Sequence, residues 1–162
     1  MSVNKYRPHV LVLPEDDANR QLATGFSLHE AVATRTIQVL PEAGGWTQVL
    51  EDFFSDHATA MDQYPHRLMV LLIDCDGDDN RLQRARSRVP HHLVGRVFIL
   101  GTLSEPEALK ADLGTYETIG KGMATDCREG TNHIWGHPLL SHNGAELERL
   151  RPQILPILFQ LP

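Results

Sequence analysis

The chain has 162 residues, 41% of them hydrophobic and 22% charged, with 12 Gly and 10 Pro. That composition excludes disordered, collagen-like and repetitive chains and suits one globular domain, which at this length buries roughly 70% of its unfolded surface. The formal charge of −6 argues against binding nucleic acid through bulk charge. Seven of the acids, however, fall in two short clusters, Glu15, Asp16 and Asp17, then Asp74, Asp76, Asp78 and Asp79, and without them the chain would be nearly neutral. No apolar run approaches the roughly 20 residues that span a bilayer, and MSVNKYRPHV lacks the basic and then apolar regions of a signal peptide. A cytoplasmic protein with no membrane partner is expected. Cys75 and Cys127 are the only cysteines, which gives no disulfide framework, suits a reducing compartment and reads as two small buried hydrophobes.

Taken in chain order, His9 to Leu13 (HVLVL) is a short apolar run closed by Pro14 and acids, followed by ANRQLATGFSLHEAV with apolar residues at helical spacing. The pattern predicts strand, turn and helix. Thr36 to Leu40 (TIQVL) is a second strand, ended by Pro41 and Gly44-Gly45, and WTQVLEDFFSDHATAM then places Val49, Leu50, Phe53 and Phe54 on one helical face. Leu68 to Ile73 (LMVLLI) is the most continuous apolar run. Hydrophobicity that does not alternate marks a strand covered on both faces, as at the centre of a parallel sheet. Asp78 to Arg88 is polar and basic enough for an exposed helix, Arg96 to Leu100 (RVFIL) supplies a fourth strand, and Glu105 to Leu113 forms a short helix with Pro106 near its first turn. Residues beyond about Tyr116 read as less regular, up to a carboxy-terminal helix over Asn143 to Phe159 that Pro152 and Pro156 kink or break.

This alternation predicts an α/β fold: a three-layer, Rossmann-like sheet of about four mainly parallel strands, with helices on both faces and sites at the carboxyl ends of the strands. One domain spans 1–162, its core lying over about 8–113 and a carboxy-terminal extension over about 114–162.

Such a topology brings Glu15, after the first strand, to the same sheet edge as Asp74 and Asp76, after the third. Like charges within a few ångströms raise each other's pKa, so the cluster needs a cation, a basic partner or ample water. Mg²⁺, or Mn²⁺ in its place, is the natural candidate, because Mg²⁺ takes oxygen ligands, keeps several waters and commonly binds one or two carboxylates together with substrate phosphates. Asp74 and Asp76, two apart, point the same way in an extended segment, Gly77 permits a sharp exit, and Asp78 is placed to cap the next helix. Any one of these acids reads more simply as a cap or a solvated turn residue. The constellation is what points to a metal.

At these residues the chain resembles the Toprim domain, the catalytic fold shared by topoisomerases, bacterial primases, recombination-associated RecR proteins and nucleases of the overcoming-lysogenization-defect (OLD) group. Glu15 in VLVLPEDD, Asp74 and Asp76 in LLIDCDGDD, and Gly44-Gly45 in VLPEAGGW match its Glu after the first strand, its Asp-x-Asp after the third and its glycines after the second, over about residues 8–101. The resemblance implies that Asp74 and Asp76 hold Mg²⁺ and that Glu15 holds metal or exchanges a proton during phosphodiester chemistry. The OLD-type nucleases, which bind a second metal with acids after the next strand, further imply a second-metal or accessory role for Glu105 and Glu107, with Asp78 as another accessory acid. Toprim domains usually carry Gly just after the catalytic Glu, where this chain has Asp16. Neither a zinc-ribbon nor an ATPase segment accompanies the match, so the expectation is a small, stand-alone Toprim-like protein.

Other patterns compete. Receiver domains of two-component signalling also place acids after strand one and an Asp after strand three, and Asp16, Asp17, Asp74 and Lys121 can be cast in those roles. The span from Asp17 to Asp74 is long for that fold, and the second Asp of DCD has no part in it. Cys127, His133, His137 and His142 would suggest zinc, but Gly136 and Pro138 oppose the helix that would align His133 with His137. Surface or hydrogen-bonded histidines are the simpler reading, and Trp135 reads as a packing residue. Arg81, Arg84 and Arg88 share a helical face and are candidate phosphate contacts together with Lys121, against the simpler reading of a solvated face. The expected function is a metal-dependent nuclease or another phosphodiester-acting enzyme of Toprim type, with DNA or RNA as partner. The alternatives are a noncatalytic Toprim-like module that depends on a protein partner or a second copy of itself, and a receiver-like phosphoacceptor.

Overall fold

Four short strands pair in parallel in the order β2-β1-β3-β4 in the computed structural model, which describes residues 2–78 and 80–160. Asp79, the last acid of the second cluster, lies outside the described residues. In chain order the elements are β1 (His9–Pro14), α1 (Asp17–Ser27), β2 (Ile37–Val39), α2 (Trp46–Asp52) leading through a π turn (Phe53–His57) into α3 (Ala58–Gln63), and β3 (Arg67–Leu72). There follow α4 (Asn80–Arg88), a 3-10 turn (His91–Arg96), β4 (Val97–Leu100), α5 (Glu107–Leu113), α6 (Tyr116–Glu129), a second 3-10 turn (Ser141–Asn143) and α7 (Gly144–Phe159).

The central runs of β1, β3 and β4 are continuously apolar because they serve two cores at once. Val10, Val12, Leu68, Val70, Phe98 and Leu100 face the layer of α1, α6 and α7. Leu11, Leu13, Met69, Leu71, Val97 and Ile99 face the layer of α2, α3 and α4. The register pairs Val10 with both Ile37 and Leu68, and Met69 with Val97. Parallel pairing puts the carboxyl ends of all four strands on one edge, where the acidic clusters emerge. In α4, Ala85 alone is buried, so the arginine-rich stretch is an exposed helix, as its composition predicts.

Three expectations change. The chain from Trp46 to Gln63 is not one regular helix; the π turn shifts the side-chain phase, so Val49, Leu50 and Phe53 are buried while Phe54 is 58% exposed. The stretch after Tyr116 is regular: α6 runs 14 residues and buries Ile119, Met123, Ala124 and Cys127. Its two glycines weaken the helical signal, yet Gly120 is what lets α6 reach α1. A Cβ at Gly120 would run into the Leu22 carbonyl, and one at Gly25 into the Glu117 carbonyl, so the helices touch backbone to backbone. Finally, α7 continues through Pro152 and Pro156. Both prolines lie on its exposed face, where water serves the carbonyls they leave unpaired.

The helices α6 and α7 supply about half of one hydrophobic layer. The helix α7 also seals the β4 edge. Glu146 Oε2 accepts the Ile99 N–H at 2.8 Å, Arg149 pairs with Glu146 and donates to the Val94 and Val97 carbonyls, and the Asn143 amide brackets both the N–H and the C=O of Gly101. An edge closed this way offers no template for pairing with another chain. Cys75 and Cys127 are buried and neither is in a disulfide. Among the described residues, no helix is long and apolar enough to cross a membrane.

Candidate functional site

The strand order reverses between β1 and β3, and in open parallel sheets the crevice at such a point is where ligands bind. Glu15 and Asp74 stand at the ends of these two strands. The Glu15 N–H extends the ladder to the Leu72 carbonyl at 3.0 Å. Beside it the Gly44 and Gly45 N–H groups both donate to the Glu15 carbonyl, with φ of 99° and 144° that side chains rarely adopt. The glycine pair therefore turns the chain tightly around the end of β1 before α2 begins.

Across the crevice, Glu15 Oε2 accepts the Asp74 N–H at 2.8 Å. Asp74 is 4% exposed, and both its oxygens are occupied. Oδ1 accepts the Thr102 N–H at 3.0 Å and hydroxyl at 2.7 Å, and Oδ2 accepts the Asn19 amide at 2.9 Å. Burial pushes the Asp74 carboxyl above the usual range, outweighing the bonds from Thr102 and Asn19, and the charge of Asp16 adds to the rise. Burial likewise raises Glu15 to about 7; the Asp74 N–H opposes this, the charges of Asp74 and Asp16 reinforce it, and Arg81 partly offsets it. Glu15 consequently exchanges its proton near neutral pH.

These groups line a polar pocket of about 260 Å³ together with Asp16, Asp76, Arg81, Ser104, Glu105, Pro106 and Glu107. Six carboxylates, from the ends of β1 and β3 and the approach to α5, meet there with one guanidinium. The Asp74 and Asp76 side chains reach the same pocket but differ in environment. Asp76 sits in the left-handed region at φ 49°, with a side chain 55% exposed. Arg81, in the first turn of α4, donates from Nη1 to the Asp74 carbonyl at 3.0 Å and approaches Asp76 Oδ2 at 3.7 Å, with its guanidinium 5.2 Å from the Trp46 ring centroid. Its buried Nε has no hydrogen-bond partner among the described residues.

Other candidates lie elsewhere. Asp78 accepts the Asn80 N–H at the start of α4, and neither it nor Arg84, Arg88 or Lys121 lines the pocket. Arg84 and Arg88 are exposed on α4, while Lys121 pairs with Glu117 at 3.4 Å on α6 and so is not in the place a receiver's lysine would need. Asp16, standing where the Toprim pattern has Gly, accepts the Asn19 N–H and caps α1. Sequence reading misses Asn19 and Thr102, which hold Asp74, and Tyr116, a buried phenol pushed upward by burial and by the charges of Glu107, Asp16 and Asp74. The one signal available was position: Thr102 lies two residues past the end of β4, and Asn19 is three residues past a cap.

The donor set is all oxygen, which suits a hard cation. Among the described residues, no three His, Cys, Asp or Glu side chains stand close enough to enclose an ion directly. The second oxygen of Glu15 and the carboxylates of Asp76, Glu105 and Glu107 are the groups that the pocket leaves open. The zinc pattern is not assembled: Cys127 faces an apolar cavity and His137 pairs with Asp112 at 2.8 Å. Comparison of the chain with protein-family models, with curated proteins and with solved structures finds no match.

Proposed function

We propose that the acidic pocket is the divalent-cation site of a Toprim-like enzyme that acts on nucleic-acid phosphodiesters, most simply a Mg²⁺- or Mn²⁺-dependent nuclease of the cytoplasm. The observation that carries the reading is the meeting of six carboxylates around one polar pocket at the strand-order reversal. Glu15 and Asp76 would hold the metal, with Glu105 and Glu107 nearest for a second ion. Bound Mg²⁺ supplies Lewis-acid polarisation of a phosphoryl oxygen and lowers the pKa of its water. Asp74, buried and held by Thr102 and Asn19, orients rather than ligates: through its N–H it fixes the Glu15 carboxyl. Glu15, poised near pH 7, takes up or releases a proton at its free oxygen. Arg81 brings a guanidinium to the wall of the pocket, and the exposed arginines of α4 extend that positive flank along a nucleic-acid backbone.

The burial of Asp74 against Thr102 and Asn19 also favours a second reading, a noncatalytic module in which the pocket keeps its cation but a protein partner or a second copy supplies the chemistry. One experiment separates them. The purified protein is incubated with single- and double-stranded DNA and with RNA, in Mg²⁺, Mn²⁺ or EDTA, beside Asp76→Ala, and metal binding is followed by calorimetry. Metal-dependent cleavage lost in Asp76→Ala supports the enzyme. Metal binding without cleavage supports the module, and no heat on adding either metal refutes both.

A further inference from the structure

We propose that the cavity between the sheet and α1, α6 and α7 is a binding site for a small uncharged apolar molecule of about benzene size. The cavity measures about 100 Å³ and lies wholly on the side of the sheet served by Val12, Val70 and Leu100, with Ala23, Met123 and Trp135 across from them. An engineered cavity of roughly 150 Å³ with comparable lining stays dry and takes up benzene. Of the polar side chains in the lining, Asn19 donates an amide N–H to Asp74 and the Thr102 hydroxyl bonds Asp74 Oδ1. The Trp135 Nε1–H likewise is used, donating to the Met123 carbonyl at 3.2 Å. The rest of the lining is apolar, so entering water would find few partners and an apolar occupant is favoured.

Protein interiors rarely keep voids larger than a water, because neighbouring side chains collapse into them. Here the walls are pinned. The backbone contact through Gly25 and Gly120 fixes α1 against α6. At its start α7 is clamped to the sheet through Asn143 and Glu146, and near its end the Leu158 carbonyl accepts the Ala33 N–H at 2.7 Å. None of the three helices is free to close the space, which makes it a feature of the architecture rather than loose packing. Phe26 and Ile37, on the adjacent α1 and β2, are half-buried members of the lining and form its mouth, with Phe26 packed on Phe159 at 6.3 Å between ring centroids.

The test uses benzene as probe and the methionine ε-methyl resonances of the full chain. Met123 lines the cavity, whereas Met61 and Met69 belong to the opposite core and serve as internal controls. Benzene is expected to shift Met123 saturably, leave Met61 and Met69 unmoved and raise the melting temperature. Ala23→Ile, which fills the space, is expected to weaken that binding at least tenfold, and if it does not fold, Val12→Ile, one methylene larger than the native side chain, is expected to weaken it several-fold. Absence of saturation in the unsubstituted protein, shifts at Met61 or Met69 in place of Met123, or unchanged affinity in a folded filled variant would each overturn the proposal.

Discussion

Replacing Glu15 by Gln keeps the acceptor for the Asp74 N–H but removes a carboxyl whose pKa is raised from 4.5 to about 7. An acid that binds its proton more tightly when folded contributes stability that is fully present below pH 4.5 and is lost as the pH rises through 7. At about 1.4 kcal/mol per tenfold change the full shift corresponds to roughly 3 kcal/mol, and because solvent reaches a good part of this half-buried side chain, screening reduces it to about 1–2 kcal/mol. Glu15→Gln should therefore match the parent protein at pH 4.5 and exceed its stability by about 1–2 kcal/mol at pH 8, in urea unfolding without divalent metal. Comparing variant with parent cancels the titration of all other groups that the substitution leaves alone. A stability difference that is the same at both pH values, or a variant less stable at pH 8, would refute the idea that burial and neighbouring charge hold this carboxyl in its protonated form. Metal binding at the same oxygen would then release a proton between pH 6 and 7, visible as a buffer-dependent heat.

Three further outcomes follow from buried contacts. Asp126, 1% exposed, accepts from the Thr131 hydroxyl and from the N–H groups of His133, Ile134 and Trp135, so Asp126→Ala should lose about 3–5 kcal/mol in chemical denaturation while leaving metal binding unchanged. The neutral His9 ring donates from Nδ1 to the Arg7 carbonyl and accepts the Arg67 Nε–H at Nε2, and burial lowers its pKa. Its stability contribution is present above pH 6.5 and lost as the pH falls toward the folded value, so His9→Gln should flatten the acid limb of a stability–pH curve by up to about 1.4 kcal/mol per pH unit. Gly120→Ala places a methyl group against the Leu22 carbonyl and should cost about 2–4 kcal/mol by thermal unfolding followed by circular dichroism; a loss under 1 kcal/mol would mean that α1 and α6 do not meet through their backbones.

The strand positions and the gathering of acids at one edge were legible in the chain because both depend on local pattern. A strand covered on both faces must be apolar at every position, and parallel strands joined by helices must all end on the same side. Val10 to Leu13 and Leu68 to Leu71 carry the first signal, and Glu15, Asp74 and Asp76 follow their strands at once. Helix α6 was hidden because Gly120 and Gly122 depress helical propensity, and the gain that offsets them, close contact with α1, comes from residues nearly a hundred positions away.

What each acid does at that edge was decided only in three dimensions. The two aspartates of DCD are alike in sequence, yet Asp74 is bound by Asn19 and Thr102, 55 and 28 positions distant, while Asp76 stays open to solvent. Glu15 owes its pKa to burial against Asp74, 59 positions on. Charge and hydrogen-bond capacity are written in the residue, but burial and partners, which set whether a carboxyl holds a proton, orients a neighbour or meets an ion, arise only when the strands close up.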